Sequence, residues 1–250
     1  MFSVIIHIME EQEITFKSGE SNGGVVRIGN TVRRNLTERS DFVHQLMEEL
    51  TSHHFLLSPK FIGIDEKGRE VISYISGIQM NHGEITIDIM KQSMSALKKF
   101  HDILAESKLS EDQETVVHTD FAPWNLIVED ENLVGVIDFD GAIPGKRLTD
   151  IAYVCWNFLD IGEDDGKFTD EEIFLLLPQL IAAYGDINTD NLVNELISEQ
   201  SRILEKRKNR VKEAIGDQEK AERQRICDEI EESIKWVEGN EERLSKILDN

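Results

Sequence analysis

Apolar residues change their spacing twice along the chain, and each change predicts a different kind of element. The first part runs in short β-rich stretches: Ile14 to Phe16, Val25 to Ile28, and Thr31 to Arg34. Gly29-Asn30 between the last two predicts a two-residue hairpin, because Gly at the first loop position supplies the positive φ that such turns demand. Met1 to Ile8 reads as a further strand rather than a signal segment, since no basic residues precede it and Glu10, Glu11 and Glu13 follow at once. Val43, Leu46, Met47 and Leu50 then recur at helical spacing, with Ser40 and Asp41 as candidate N-caps. Phe61 to Ile64 and Val71 to Ile75 flank the turn Asp65 to Gly68 and predict a second hairpin. The opening part therefore reads as a sheet plus one helix.

From about residue 86 the pattern is helical, and Met90, Met94, Leu97, Phe100 and Leu104 mark one apolar face. Ser73 to Gly77, a strand ending in Gly where the period shifts, is the expected connection between two parts, 1–77 and 78–250. Val116 to Asp140 returns to β character, and everything after Ile151 reads as helices. In the last 60 residues Ile203, Val211, Ile215, Ile226, Ile230, Ile234 and Val237 are spaced among mixed charges. That predicts a solvated outer face over a packed inner one rather than a separate coiled coil. The longest apolar stretch, Ile173 to Tyr184, is interrupted by Pro178 and Gln179. It is too short for a bilayer, which needs about 20 residues.

Charge narrows the possible partners. The 250 residues hold 49 acids against 27 bases, a net charge of -22. Such a surface excludes nucleic-acid binding through phosphates and attachment to anionic membranes, and it favours cationic or metal-bearing partners. The excess is uneven: the last 60 residues carry 12 bases and 15 acids, a net of -3, which leaves -19 in the first 190. Cys155 and Cys227 are the two cysteines and lie far apart, so no disulfide framework or four-ligand zinc pattern is expected, and a reducing cytoplasm is the natural compartment.

The informative chemistry lies in His118-Thr119-Asp120-Phe121-Ala122-Pro123-Trp124-Asn125 and in Ile137-Asp138-Phe139-Asp140. If residues 126 to 128 and 133 to 136 pair around the polar turn Glu129 to Asn132, Val128 faces Leu133, Leu126 faces Gly135 and Asn125 faces Val136. Asp138 then falls about two positions beyond Asn125, within roughly 7–8 Å, where one cation can reach both side chains. Phosphoryl transfer to a hydroxyl needs this combination: hard oxygen ligands for Mg²⁺ and a further carboxylate to orient the nucleophile. Asp120, five residues before Asn125, has the spacing of a kinase catalytic base.

His118-x-Asp120-x-x-x-x-Asn125 followed by Ile137-Asp138-Phe139-Asp140 resembles the paired motifs of the aminoglycoside phosphotransferase and choline kinase superfamily. Leu97 to His101, Leu148 to Ala152, Gly23-Gly24, Thr31 to Arg34, Gly63 to Glu70 and Ile75 to Gly77 extend the resemblance over most of the chain. It implies an α+β, two-lobed, protein-kinase-like fold with a small β-rich N-terminal nucleotide lobe, 1–77, and a larger, mainly helical catalytic lobe, 78–250. It implies Asp120 as catalytic base, Asn125 and Asp138 as Mg²⁺ ligands, His118 as a brace of the loop and Asp150 as a helix cap that steadies it. Asp140 is left between a second metal, the substrate and nearby backbone. ATP or GTP is the implied donor and a small-molecule hydroxyl, with a cationic compound as one option, the implied acceptor.

The nucleotide lobe departs from the pattern. Kinase-like enzymes hold phosphates with a strand Lys, and here Arg34 stands there, able to bind phosphate bidentately or to serve as a structural ion pair. Its acidic partner is open among Glu38, Glu48 and Glu49, with His44 on the helix nearby. Gly23 and Gly24 are candidate phosphate-loop residues, although a Gly pair by itself marks an ordinary turn. The alternative function is a kinase-like binding or immunity protein without turnover. Phe158 to Glu172 carries seven acids with Lys167 as its one base, is not an EF-hand loop, and reads as a solvated loop closed by a Thr169–Glu172 capping box.

Overall fold

The computed structural model describes residues 13–15, 24–164 and 166–248. The strand expected over Met1 to Ile8, and Gly23, lie outside these residues. An antiparallel sheet of five strands comes first, in the order β1-β2-β3-β5-β4, formed by β1 (Ile14–Thr15), β2 (Val26–Ile28), β3 (Thr31–Asn35), β4 (Phe61–Ile64) and β5 (Arg69–Ser73). Ile28 pairs with Thr31 across Gly29-Asn30, and Gly29 takes φ 56°, as the hairpin requires. α1 (Ser40–Ser52) packs Val43, Leu46, Met47 and Leu50 into the core. Its first turn begins one residue earlier than expected: the cap position is Arg39, and the Ser40 hydroxyl instead accepts the Thr37 N–H at 2.9 Å.

A three-stranded sheet, β6-β8-β9, follows, made of β6 (Ile78–Gln79), β8 (Leu126–Glu129) and β9 (Asn132–Val136). Between β6 and β8 lie α2 (Ile87–Ala105), capped by the Thr86 hydroxyl, and β7 (Thr115–Val117), which pairs with β10 (Ile143–Gly145). The register of β8 and β9 differs from the expectation at its open end. Val128 does face Leu133, but a bulge after Ile127 shifts Ile127 onto Gly135 and Leu126 onto Val136. Asp130 and Glu131, both at positive φ, make the connection a two-residue turn, and the odd residue in the longer path around it is absorbed by the bulge.

Five helices follow among the described residues: α3 (Arg147–Leu159), α4 (Asp170–Tyr184), α5 (Leu192–Lys212), α6 (Asp217–Gly239) and α7 (Glu241–Leu248). Leu192, Leu196, Leu204, Cys227, Ile230 and Val237 join the same core as α2 and α3, so the tail is packed against the body of the protein. No helix among the described residues is long and apolar enough to cross a membrane.

Phe100 on α2 sits at the centre of the core, 1% exposed, with Phe139 at 5.9 Å and His118 at 6.4 Å between ring centroids. It therefore joins the helical core directly to both motifs. Phe100→Ala is expected to lower the unfolding free energy by about 3–5 kcal/mol, read by urea denaturation.

Candidate active site

β7 delivers a fully buried His118 into an irregular loop that ends in the single 3₁₀ turn Pro123–Asn125. The His118 ring accepts the Asp120 N–H on Nδ1 at 3.3 Å and donates from Nε2 to the Ile137 carbonyl at 3.1 Å. One imidazole thus ties the first motif to the second. Thr119 takes φ 67°, a costly conformation for a β-branched residue, and is held there by its N–H to Asp150 Oδ1 (2.8 Å) and its hydroxyl to the Gly141 carbonyl (3.1 Å).

Asp120 is half-buried. Its Oδ2 accepts from Asn125 Nδ2 at 2.9 Å, and Oδ1 accepts from the Tyr153 hydroxyl at 2.6 Å. Each oxygen keeps a lone pair for an incoming hydroxyl. Burial, then the Asp120 charge and the hydrogen bond to it, push the Tyr153 phenol well above its ordinary value, so it stays a donor to Asp120. Tyr153 was not singled out from the sequence. The signal was available, because Tyr153 lies three residues after Asp150 and so shares its helix face.

Asn125 spends its amide nitrogen on Asp120 (2.8 Å to the carbonyl, 2.9 Å to Oδ2), and its amide oxygen has no partner among the described residues. The Ile137 N–H donates to the Asn125 carbonyl at 2.9 Å and brings Asp138 alongside. Asp138 sits in the left-handed region at φ 67°, and its carboxylate has no hydrogen bond or ion pair among the described residues. Although its surface reaches water, the protein around it and then the Asp140 charge push its carboxyl above the usual range. An amide oxygen and a carboxylate without hydrogen-bond partners among the described residues are a donor set that fits Mg²⁺, which would supply charge neutralisation to phosphate oxygens.

Asp140 is not left to nearby backbone. It takes a fork from Arg34, Nη2 to Oδ1 at 2.8 Å and Nη1 to Oδ2 at 3.1 Å. The acidic partner sought for Arg34 on α1 is instead Glu70 on β5, directly opposite Arg34 in the strand register, with Nε to Oε1 at 2.7 Å. Glu70 is 1% exposed, and its other oxygen meets His44 Nε2 at 2.7 Å. The candidates Glu38, Glu48 and Glu49 are set aside, because Arg34 takes Glu70 and Asp140 as its acidic partners. Gly24 takes φ 96° at the entrance to β2 and is exposed.

Asp150, expected as a helix cap, forms no cap: the cap position is Lys146, without a side-chain bond. The carboxylate instead points out of the first turn of α3 and accepts the N–H groups of His118 (2.6 Å) and Thr119 (2.8 Å) and His101 Nε2 (3.0 Å). Burial pushes Asp150 up, but the hydrogen bonds from His101 Nε2 and from the His118 N–H hold its carboxyl below the usual range. Burial lowers His101, against the pull of Asp150. The pair is therefore a carboxylate with a neutral imidazole, whose Nε2–H faces Asp150 while Nδ1 accepts the Tyr184 hydroxyl at 2.8 Å.

The chain is similar in sequence and in fold to known proteins. Residues 95–189 match the phosphotransferase enzyme family. The motif resemblance to the aminoglycoside phosphotransferase superfamily and the kinase-like α+β fold are borne out. An aminoglycoside phosphotransferase from Alicyclobacillus acidocaldarius superposes with a TM-score of 0.62 at 13% identity, covering 96% of this chain and 94% of that one. A related enzyme in a ternary complex with streptomycin and ATP gives 0.55 at 14% identity, with 86% and 92% covered. A trifolitoxin immunity protein of Rhizobium leguminosarum bv. trifolii is 29% identical over 164 residues, which is 59% of this chain and 63% of that protein.

The unfolded chain takes up a proton on His101 below the ordinary value of 6.5 while the folded protein resists it, so this group's contribution to stability falls as pH drops through that range. Asp150 adds a further loss below its ordinary 3.8. His101→Gln keeps a donor to Asp150 and is expected to flatten the decline in melting temperature between about pH 7 and pH 5, read by thermal unfolding across that range.

Proposed function

We propose that this protein transfers the γ-phosphate of ATP or GTP to a hydroxyl of a small molecule, with Mg²⁺ held by Asn125 and Asp138. The observation that carries the reading is the Asp120 carboxylate, fixed by Tyr153 and Asn125 beside an amide oxygen and a carboxylate that have no hydrogen-bond partner among the described residues. In this reading the substrate hydroxyl donates to Asp120, which receives its proton as the oxygen bonds to the γ-phosphorus and the bond to the leaving diphosphate breaks.

Nucleotide binding is assigned to residues 1–77 and catalysis to 78–250, with Arg34 reaching across to the phosphates from β3. Gly24 at positive φ fits a close approach of backbone to phosphate, and Gly23 goes with it by adjacency. Glu70 and His44 orient the Arg34 side chain. His118 and Asp150 brace the catalytic loop. A cationic acceptor suits the net charge of -22, and amines of the kind bound by the streptomycin complex are the first class to try.

A second reading, a kinase-like immunity protein that binds its ligand without turnover, has two observations in its favour. One is the relative described as an immunity protein; the other is the engagement of Arg34 by two carboxylates, which a phosphate must displace.

Mg-ATP or Mg-GTP is expected to raise the melting temperature, and ADP or GDP release against a panel of hydroxyl compounds to identify the acceptor. Asp120→Asn is expected to lower turnover roughly 10²–10⁴-fold while the nucleotide-induced shift persists. No shift with either nucleotide favours the second reading, and normal turnover in Asp120→Asn removes Asp120 from the chemistry.

A further inference from the structure

Five of the six described acids in the stretch Phe158 to Glu172 are exposed, in keeping with a solvated segment, and three of them have local partners. Asp170 accepts from Trp236 Nε1 at 3.0 Å, Glu171 pairs with Arg243 at 2.6 Å, and Glu172 completes the capping box with Thr169. Of the other acids, Asp160 and Glu163 converge on His82, which lies in the segment between β6 and α2. The single base of the stretch does not serve them: Lys167 gives its ammonium to the Ile85 carbonyl at 2.6 Å.

We propose that His82, Asp160 and Glu163 form a binding site for a divalent transition-series cation of the Zn²⁺ class, separate from the Asn125–Asp138 pair. The three offer ligand atoms that all lie within 4.8 Å of one another. His82 Nε2 is 3.2 Å from Asp160 Oδ1, close to the roughly 3.3–3.6 Å that separates donors around a tetrahedral ion with bonds of about 2.0–2.2 Å. The remaining gap falls to His82 and Glu163, which reach solvent and are free to adjust, whereas Asp160 is 4% exposed and fixed.

The surroundings orient the donors. Asp160 closes α3 at φ 50° and accepts the Lys167 N–H on Oδ2 at 2.9 Å, which turns Oδ1 toward His82. The Glu163 N–H binds the Asp160 carbonyl at 3.0 Å, so both carboxylates belong to one tight turn. Trp124 stacks beside the His82 ring, with centroids 6.2 Å apart and planes inclined by 25°.

The donor set selects the metal. An imidazole ligand suits Zn²⁺ and its transition-series neighbours, whereas Mg²⁺ and Ca²⁺ favour all-oxygen sites. With three protein ligands, a fourth position stays open to water. A bound ion would fasten the segment after β6 to the turn closing α3, and through Trp124 it would press on the 3₁₀ turn that carries Asn125.

The test is titration of the chelator-stripped full chain with ZnCl₂ by calorimetry and thermal unfolding, and with CoCl₂ by visible absorption. One equivalent is expected to bind, with a rise in melting temperature and the d–d bands of low-symmetry Co²⁺. His82→Ala and Glu163→Gln should each weaken binding tenfold or more while leaving the metal-free melting temperature unchanged; Asp138→Asn should leave Zn²⁺ binding intact. Absence of binding, or equal affinity in wild type, His82→Ala and Glu163→Gln, would overturn the assignment. A loss confined to Asp138→Asn would overturn it too, by placing the ion at the other pair.

Discussion

Buried at 0% exposure, the Asp150 carboxylate takes two backbone N–H groups from the loop that bears Asp120 and one N–H from the His101 ring. Together with the Gly141 carbonyl, which accepts the Thr119 hydroxyl, it holds Thr119 at φ 67° just after the chain leaves β7. Each ion–dipole contact of this kind is stronger in the dry interior than at the surface, and each missing one would leave a buried charge uncompensated. The loop geometry is therefore set from α3, the helix behind it, and the same helix supplies Tyr153 to Asp120. Position and polarity of the candidate base come from one rigid element.

A second charge network runs across the molecule. His44 on α1, Glu70 on β5, Arg34 on β3 and Asp140 after the second motif form a continuous chain of contacts at 2.7–2.8 Å. Glu70 is too buried to stand without partners, which explains why both of its oxygens are engaged. The Arg34 end of the network is more open, since the Asp140 side chain is 41% exposed, so water competes there. The tight end holds the arginine in the sheet while the loose end faces the site.

Local periodicity made the strands, α1 and α2 legible, because each buries one face and its apolar spacing records that face. The Asp120–Asn125 spacing was legible for a similar reason: both lie on one loop, and their contact is short-range. Glu70 escaped because its closeness to Arg34 depends on the pairing of β3 with β5, which no local pattern encodes. The bulge at Ile127 escaped because a two-residue turn and a four-residue turn draw on the same polar residues. Asp150 was seen as a stabiliser of the loop but assigned a cap, since a helix-start acid looks alike whether it bonds its own helix or a neighbour. His82 carries no local signal: a lone histidine acquires meaning only when the fold carries it to Asp160.

Gly77 stands where the five-stranded sheet gives way to β6. A Cβ at this position would meet the Ile127 side chain at 2.6 Å and the Val128 carbonyl at 2.8 Å, and its φ is 140°. Neither neighbour can retreat, because both belong to β8, the strand that starts directly after Asn125. Any side chain at 77 would therefore act as a wedge whose thrust is delivered along β8 to Asn125, so a position remote from the chemistry in sequence is under the same steric veto as the site itself.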